Sequence, residues 1–267
     1  MTTIDTGHVT SADGTTIGYR RAGSGNGRAL VISHGSISTS EQWIPVLENL
    51  GADLDVIAYD RRGRGLSGDA EEYSIATEVA DIAAVLGVAG PGAALLGHSY
   101  AGVCTLEAIR TGVEVSAHIA FEPPIPVHGP TAGDQLQPFL DLVAAGEHDA
   151  AMRHACDHFL RISEAEKEGV AASPLWPGFV ELVPTWGREL VEIDRSVDHL
   201  DEYAAEEVRT LVLAGTDSPG HLRADADFLS ERLPNATRVD MPGLNHFAHI
   251  FDPAGFSDIL RTFLVQG

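Results

Sequence analysis

Short β-like runs alternate with longer stretches of helical periodicity along most of the chain. That alternation restricts it to an α/β fold with a mostly parallel sheet. Ala29–Ser33 (ALVIS) is a short apolar run of the kind expected of a strand buried on both faces, and Asp55–Tyr59, Ala93–Leu96, Val115–Phe121 and Arg209–Ala214 read the same way. Thr15–Ala22 has alternating character, and Thr237–Met241 carries a weaker strand pattern. Helices are predicted over Ser40–Leu50, Ser74–Leu86, Tyr100–Thr111 and Arg223–Leu233. The tail Pro253–Val265 suits a last helix, with Asp252 as its cap and Pro253 at its first position.

One region breaks the alternation. From Pro123 to about Glu207 no strand-like run occurs. The segment opens with PPIPVHGP, continues through helical patterns at Asp134–Ala145 and His148–Ile162, and carries PLWPGFVELVPTW over Pro174–Trp186. The expected organisation is a core formed by residues 1–122 and 208–267, with residues 123–207 as a helical insertion between two core strands.

The segment that carries most chemical meaning is LLGHSYAG, Leu95–Gly102. An apolar run stops at Gly97, Ser99 follows two residues later, and Ala101 and Gly102 lead into a helical pattern. This is close to the G-x-S-x-G turn that presents a nucleophilic serine between a strand and a helix. A Cβ two residues to either side of the serine crowds the neighbouring backbone, so small residues are needed there. Ala101 in place of the second glycine is a mild, sterically acceptable departure. The turn also sets Ser99 at a helix N-terminus, where free N–H groups favour developing negative charge.

A serine hydroxyl needs a base. His246, in MPGLNHFAHIFDP, lies between the last strand and the last helix and is the candidate. His249 is its competitor, but it falls nearer the helix, where capping or packing suits it better. Stabilising a tetrahedral oxyanion needs backbone N–H groups. Tyr100, directly after the serine, supplies one. The loop His34-Gly35-Ser36 after the ALVIS strand supplies another, from Ser36 or from Gly35 itself, and Gly35 allows close approach.

With these residues in place, the chain resembles the α/β-hydrolase fold family over essentially its whole length. The shared features are the His34-Gly35 loop, YDRRGRGLSG (Tyr59–Gly68), the turn at Ser99 and the late His246. The stretch Asp60–Ser67 is similar to the family's D-x-R-G-x-G-x-S turn, whose role there is structural. The resemblance implies that the insertion is a helical cap over the active site. In most of the family the acid that orients the histidine follows the strand after the cap, in a pattern like G-x-x-D. Here Gly215-Thr216-Asp217-Ser218 puts Ser218 at that position, with Asp217 one residue early. Glu122 ends the strand Val115–Phe121 and offers a second carboxylate at the same edge of the sheet. Haloalkane dehalogenases and zearalenone-type lactonases are similar in placing an acid there. Glu122 is the preferred acid and Asp217 the alternative.

Other chemistries find less support. Net charge is −22, from 17 Lys and Arg against 39 Asp and Glu, and such a field repels nucleic-acid backbones and anionic lipid surfaces. No run nears the ~18 apolar residues of a membrane span, and the N-terminus lacks a basic stretch followed by an apolar one. A soluble, cytoplasmic protein is expected. Two cysteines, Cys104 and Cys156, do not make a disulfide scaffold. His154 and His158 are spaced as metal ligands are, but no third ligand is in view, so no metal is expected. Gly63 and Gly65 lack the third glycine of a dinucleotide fingerprint, and no cofactor is indicated.

The expected activity is cofactor-free hydrolysis of carboxylic esters or lactones through an acyl-enzyme. A carbon–carbon bond hydrolase or a perhydrolase on the same residues, and a hydrolase-like ligand receptor, are the alternatives. Trp176, Trp186, Phe139, Phe159 and Phe179 of the insertion are candidates to line an apolar pocket. Trp176, read as sitting on a Pro-flanked loop, is the one chosen for substrate contact. The expected partner is a small apolar ester or lactone, and a homodimer is left open.

Overall fold

The computed structural model describes residues 2–23 and 28–266. Eight strands form one sheet: β1 (Ile4–Thr10), β2 (Thr16–Ala22), β3 (Ala29–Ser33), β4 (Asp55–Tyr59), β5 (Ala94–His98), β6 (His118–Phe121), β7 (Thr210–Gly215) and β8 (Ala236–Met241). Their order is β1-β2-β4-β3-β5-β6-β7-β8. β2 runs antiparallel to β1 and β4, and the remaining pairs are parallel. β1 is the strand the sequence did not announce. It is an edge strand with mostly wet residues, so its apolar signal is weak.

The pleat sorts the central strands onto two cores. Leu30, Ile32, Ala94, Leu96, Leu211 and Leu213 face one side and pack with α1 (Ile44–Leu50) and α11 (Pro253–Gln266). Val31, Leu95, Val212 and Ala214 face the other, against α2 (Ile75–Ala89), α3 (Tyr100–Arg110) and α9 (Gly220–Arg232). Burial on both faces is why these strands read as continuous apolar runs.

Between β6 and β7 the chain is helical: α4 (Leu136–Ala144), α5 (His148–Ala155), α6 (Glu164–Ala171), α7 (Trp176–Arg195) and α8 (Leu200–Tyr203). Here one expectation needs correction. Trp176 does not sit on a loop; it is the first residue of the 20-residue α7. Pro177 occupies the first turn, where its missing N–H costs nothing, and Pro184 is tolerated inside the helix. Of the two prolines that flank Trp176, Pro174 precedes the helix and Pro177 lies in its first turn. A short α10 (Ala248–Phe251) precedes α11. As expected, Asp252 caps α11, accepting from the N–H of Gly255 at 3.0 Å. Among the described residues no helix is long and apolar enough to cross a membrane.

The insertion is tied to the core by buried charge. Glu189 on α7 accepts from Arg61 at 2.9 Å and also pairs with Arg64, both in the loop after β4. Arg61 binds Glu78 of α2 at 2.6 Å as well, and all four side chains are shut off from solvent. Removing one partner from such a group leaves a buried charge unmatched, which costs about 3–5 kcal/mol. Glu189→Ala is therefore expected to lower the thermal midpoint by roughly 10 °C, with Glu189→Gln intermediate. Calorimetry or circular dichroism reads this, and a change below about 1 kcal/mol would show that the insertion is anchored by other contacts.

Candidate active site

Strand register assembles the site. Ser33 pairs with Gly97, so the loops after β3 and β5 emerge side by side. His98 pairs with Phe121, which sets Ser99 next to Glu122, and Phe121 pairs with Leu213, which sets Glu122 beside the end of β7. All lie at the C-terminal edge of the parallel strands, where the strand order turns to either side of β3 and β5.

Ser99 occupies the single position between β5 and α3, with φ +55° and ψ −130°. That backbone is strained for a side-chain-bearing residue and lifts its hydroxyl clear of the strand. A Cβ at Gly97 would meet the Ala101 carbonyl oxygen at 2.6 Å, and one at Gly102 would meet the Pro123 Cβ at 2.7 Å. The glycine the turn requires on its far side is thus Gly102, and the methyl of Ala101 is accommodated within the core. A Cβ at Gly35 would come within 2.9 Å of the Ser99 Cβ, so only glycine lets the β3 loop lie this close.

The two loops that face Ser99 are held from behind. His34 donates from Nδ1 to the Gly35 carbonyl at 2.8 Å, and its Nε2 accepts from the Arg61 N–H at 3.1 Å. Burial, and then the nearby Arg64 and Arg61, push its pKa well below the usual value, so it is a neutral brace. Arg61 also lies 4.7 Å over the ring of Tyr100, whose hydroxyl accepts from Tyr73 at 3.0 Å. The backbones of Ser36 and Tyr100 are thereby fixed on either side of Ser99.

Glu122 directly follows β6, with φ +47°, and is completely buried. Its Oε2 accepts from His246 Nδ1 at 2.6 Å. Its Oε1 accepts from the Gly215 N–H at 2.6 Å and from Ser218 Oγ at 2.5 Å. Because the carboxylate only accepts, the proton of this bond is on Nδ1 of His246, and Nε2 lies on the other side of the ring from Glu122. His246 and Ser99 line one cavity with Ser36, and no hydrogen bond joins the two side chains. Asp217 is exposed, and its carboxylate accepts from its neighbour Thr216 at 3.1 Å, away from His246. Ser218, standing where the resemblance led one to look for an acid, instead donates to Glu122. Its signal in the sequence was that position itself.

His249 is part of the packing. Its ring stacks on Trp43 at 4.2 Å, and His98 stands edge-on at 4.8 Å. His98 in turn donates from Nε2 to the His246 carbonyl at 3.0 Å and so supports the loop, a role the sequence did not reveal. Trp176, chosen for substrate contact, does not line either cavity at Ser99. Its indole N–H donates to Asp149 at 2.7 Å, and Arg153 covers its ring. Trp186, ten residues further along α7, lines both cavities, and Phe159 lines one. Phe139 packs behind these two rings.

A model of the alpha/beta hydrolase family matches residues 30–259. The chain is 29% identical over 261 residues to a non-heme chloroperoxidase from Streptomyces lividans, covering 90% of this chain and 92% of that protein. An alpha/beta hydrolase from Sphaerobacter thermophilus has a similar structure, with a TM-score of 0.85 and 28% identity over 95% of this chain and 100% of that one. An esterase from a Rhodococcus species follows at a TM-score of 0.78 and 27% identity, covering 97% of this chain and 98% of that one.

The buried histidines make acid stability testable. Burial pushes the pKa of His249 from its ordinary 6.5 down to about 3, and His246 nearby adds to the effect. Between these values the unfolded chain binds a proton that the folded one does not, so this contribution to stability is complete above about 6.5 and is lost as pH falls towards 3. His249→Phe removes that proton uptake. The slope of unfolding free energy against pH between about 6 and 4 should flatten by up to about 1.4 kcal/mol per pH unit. Denaturant titrations across that range measure it, and an unchanged slope would mean His249 is protonated in the folded protein.

Proposed function

The chain belongs to the alpha/beta hydrolase family, and from that footing we propose that it is a serine hydrolase of carboxylic esters and lactones. The observation that carries this is the 2.6 Å contact of His246 Nδ1 with Glu122 Oε2, on a histidine that shares a cavity with Ser99. The likeness to an esterase at 27% identity supports the ester assignment.

His246 Nε2 takes the proton of Ser99 as Oγ attacks the ester carbonyl. The N–H groups of Tyr100 and Ser36 receive the oxyanion, and a donor of this kind is worth about 3 kcal/mol. His246 then gives the proton to the leaving alkoxide, and the alcohol departs. A water, activated by the same Nε2, attacks the acyl-enzyme and returns Ser99. Glu122 keeps the imidazole in the productive tautomer and stabilises the imidazolium. The helical insertion acts as a cap, with Trp186 and Phe159 as its apolar wall over the serine.

Perhydrolysis is the second activity, favoured by the 29% likeness to a protein named as a non-heme chloroperoxidase. Hydrogen peroxide would take the place of water at the acyl-enzyme and release a peracid. It uses the same serine, so peracid formation from acetate and peroxide tests it directly.

For the main proposal the measurement is hydrolysis of p-nitrophenyl butyrate. Ser99→Ala and Glu122→Gln should lose about 10³–10⁴-fold or more in kcat. Asp217→Asn should stay within about twofold. A dead Asp217→Asn with an active Glu122→Gln would overturn the assignment of the acid.

A further inference from the structure

The enclosed space around Ser99 is small. The two cavities that reach it measure about 20 Å³ each, room for roughly one water. A third cavity, of about 280 Å³, opens between α6, the start of α7 and the loop that carries His246. Ile162, Val170, Leu175, Phe179, Phe247 and Ile250 supply its apolar wall. Phe247 also lines the smaller cavity at Ser99, so this residue borders both spaces. That ring lies against Phe179, 6.3 Å away, and presents an edge to His246 at 5.6 Å.

The polar residues around this cavity are occupied with their own backbone. The Glu166 carboxylate accepts from the Ser163 N–H at 2.8 Å as part of a capping box. Ser173 Oγ donates to the Val170 carbonyl at 2.7 Å, and Asn245 Oδ1 accepts from the Phe247 N–H at 3.0 Å. The cavity therefore presents apolar surface, with Leu175 and Phe251 exposed at its mouth.

Its position decides which half of an ester it serves. Asn245 and Phe247 flank His246, the group that must protonate the leaving oxygen, whereas Ser36 and Tyr100 do not border the cavity. Resting on the ester-hydrolase proposal, we infer that this cavity receives the alcohol limb of the substrate. Phe247 is the residue that turns aside to admit it, and the preferred substrates are esters of apolar alcohols several carbons long. Phe247 is a specificity-determining residue here.

Two ester series separate the possibilities, both followed by proton release with Ser99→Ala as the blank. In n-alkyl butyrates from methyl to octyl, kcat/KM should rise roughly two- to fourfold per methylene until the cavity is full. In methyl esters from acetate to octanoate it should not show that rise. Val170→Trp fills the cavity, and Gly169→Leu does so from a position where an added Cβ meets nothing within 4 Å. Each should collapse the ratio of octyl to methyl butyrate. A flat alcohol series with clear Ser99-dependent turnover, or a slope that survives both filled variants, overturns the assignment of the cavity and leaves the hydrolase proposal standing. Absence of Ser99-dependent turnover in both series overturns the two together.

Discussion

A carboxylate with no surface open to water must be matched by donors, and the site is arranged around one that is. Glu122 is completely buried and is met by the His246 ring, the Gly215 backbone and the Ser218 hydroxyl. Desolvating a carboxylate costs several kcal/mol, and only such a full set of partners offsets it. The donors come from two loops, the β7–α9 connection and the one that carries His246. Gly215 brings the end of β7, Ser218 the turn before α9, and His246 the loop before α10. Gly215 is required because a Cβ there would run into the backbone of Leu244, and that close approach is what lets the histidine loop reach Glu122.

Arg61 is the counterpart on the other side of Ser99. Its guanidinium bonds Glu78 and Glu189, reaches the Gly35 carbonyl at 3.4 Å and covers the Tyr100 ring. One residue thus touches both segments proposed to hold the oxyanion and the helix that lies over them. An arginine suits this because its planar fork bonds several acceptors at once and stays charged when buried. A single buried network thus holds the insertion and the two segments proposed to receive the oxyanion.

Much of this was legible before any coordinates. The apolar runs marked five core strands, β3 to β7, because strands buried on both faces keep a local signature. The Ser99 turn was visible for the same local reason: Gly97, Gly102 and the strained serine lie within a few residues. Glu122 was reachable through its place at a strand end. What stayed hidden depended on packing between distant segments. β1 is polar because it is an edge strand. Trp176 and Trp186 differ in role only through the face of α7 that each occupies, and prolines disguised the start of that helix. No local pattern announces that Ser218 pairs with Glu122 or that Phe247 lines two cavities, since both follow from loops meeting across the sheet edge.

The central claim is that Ser99 is made nucleophilic by His246 under the control of Glu122. It is tested most directly by covalent labelling with a fluorophosphonate, mapped and timed by mass spectrometry. The account predicts a single adduct, on Ser99, formed at least about a hundredfold more slowly in Glu122→Gln and at an undiminished rate in Asp217→Asn. An adduct on another residue, or wild-type labelling speed in folded Glu122→Gln, would contradict it.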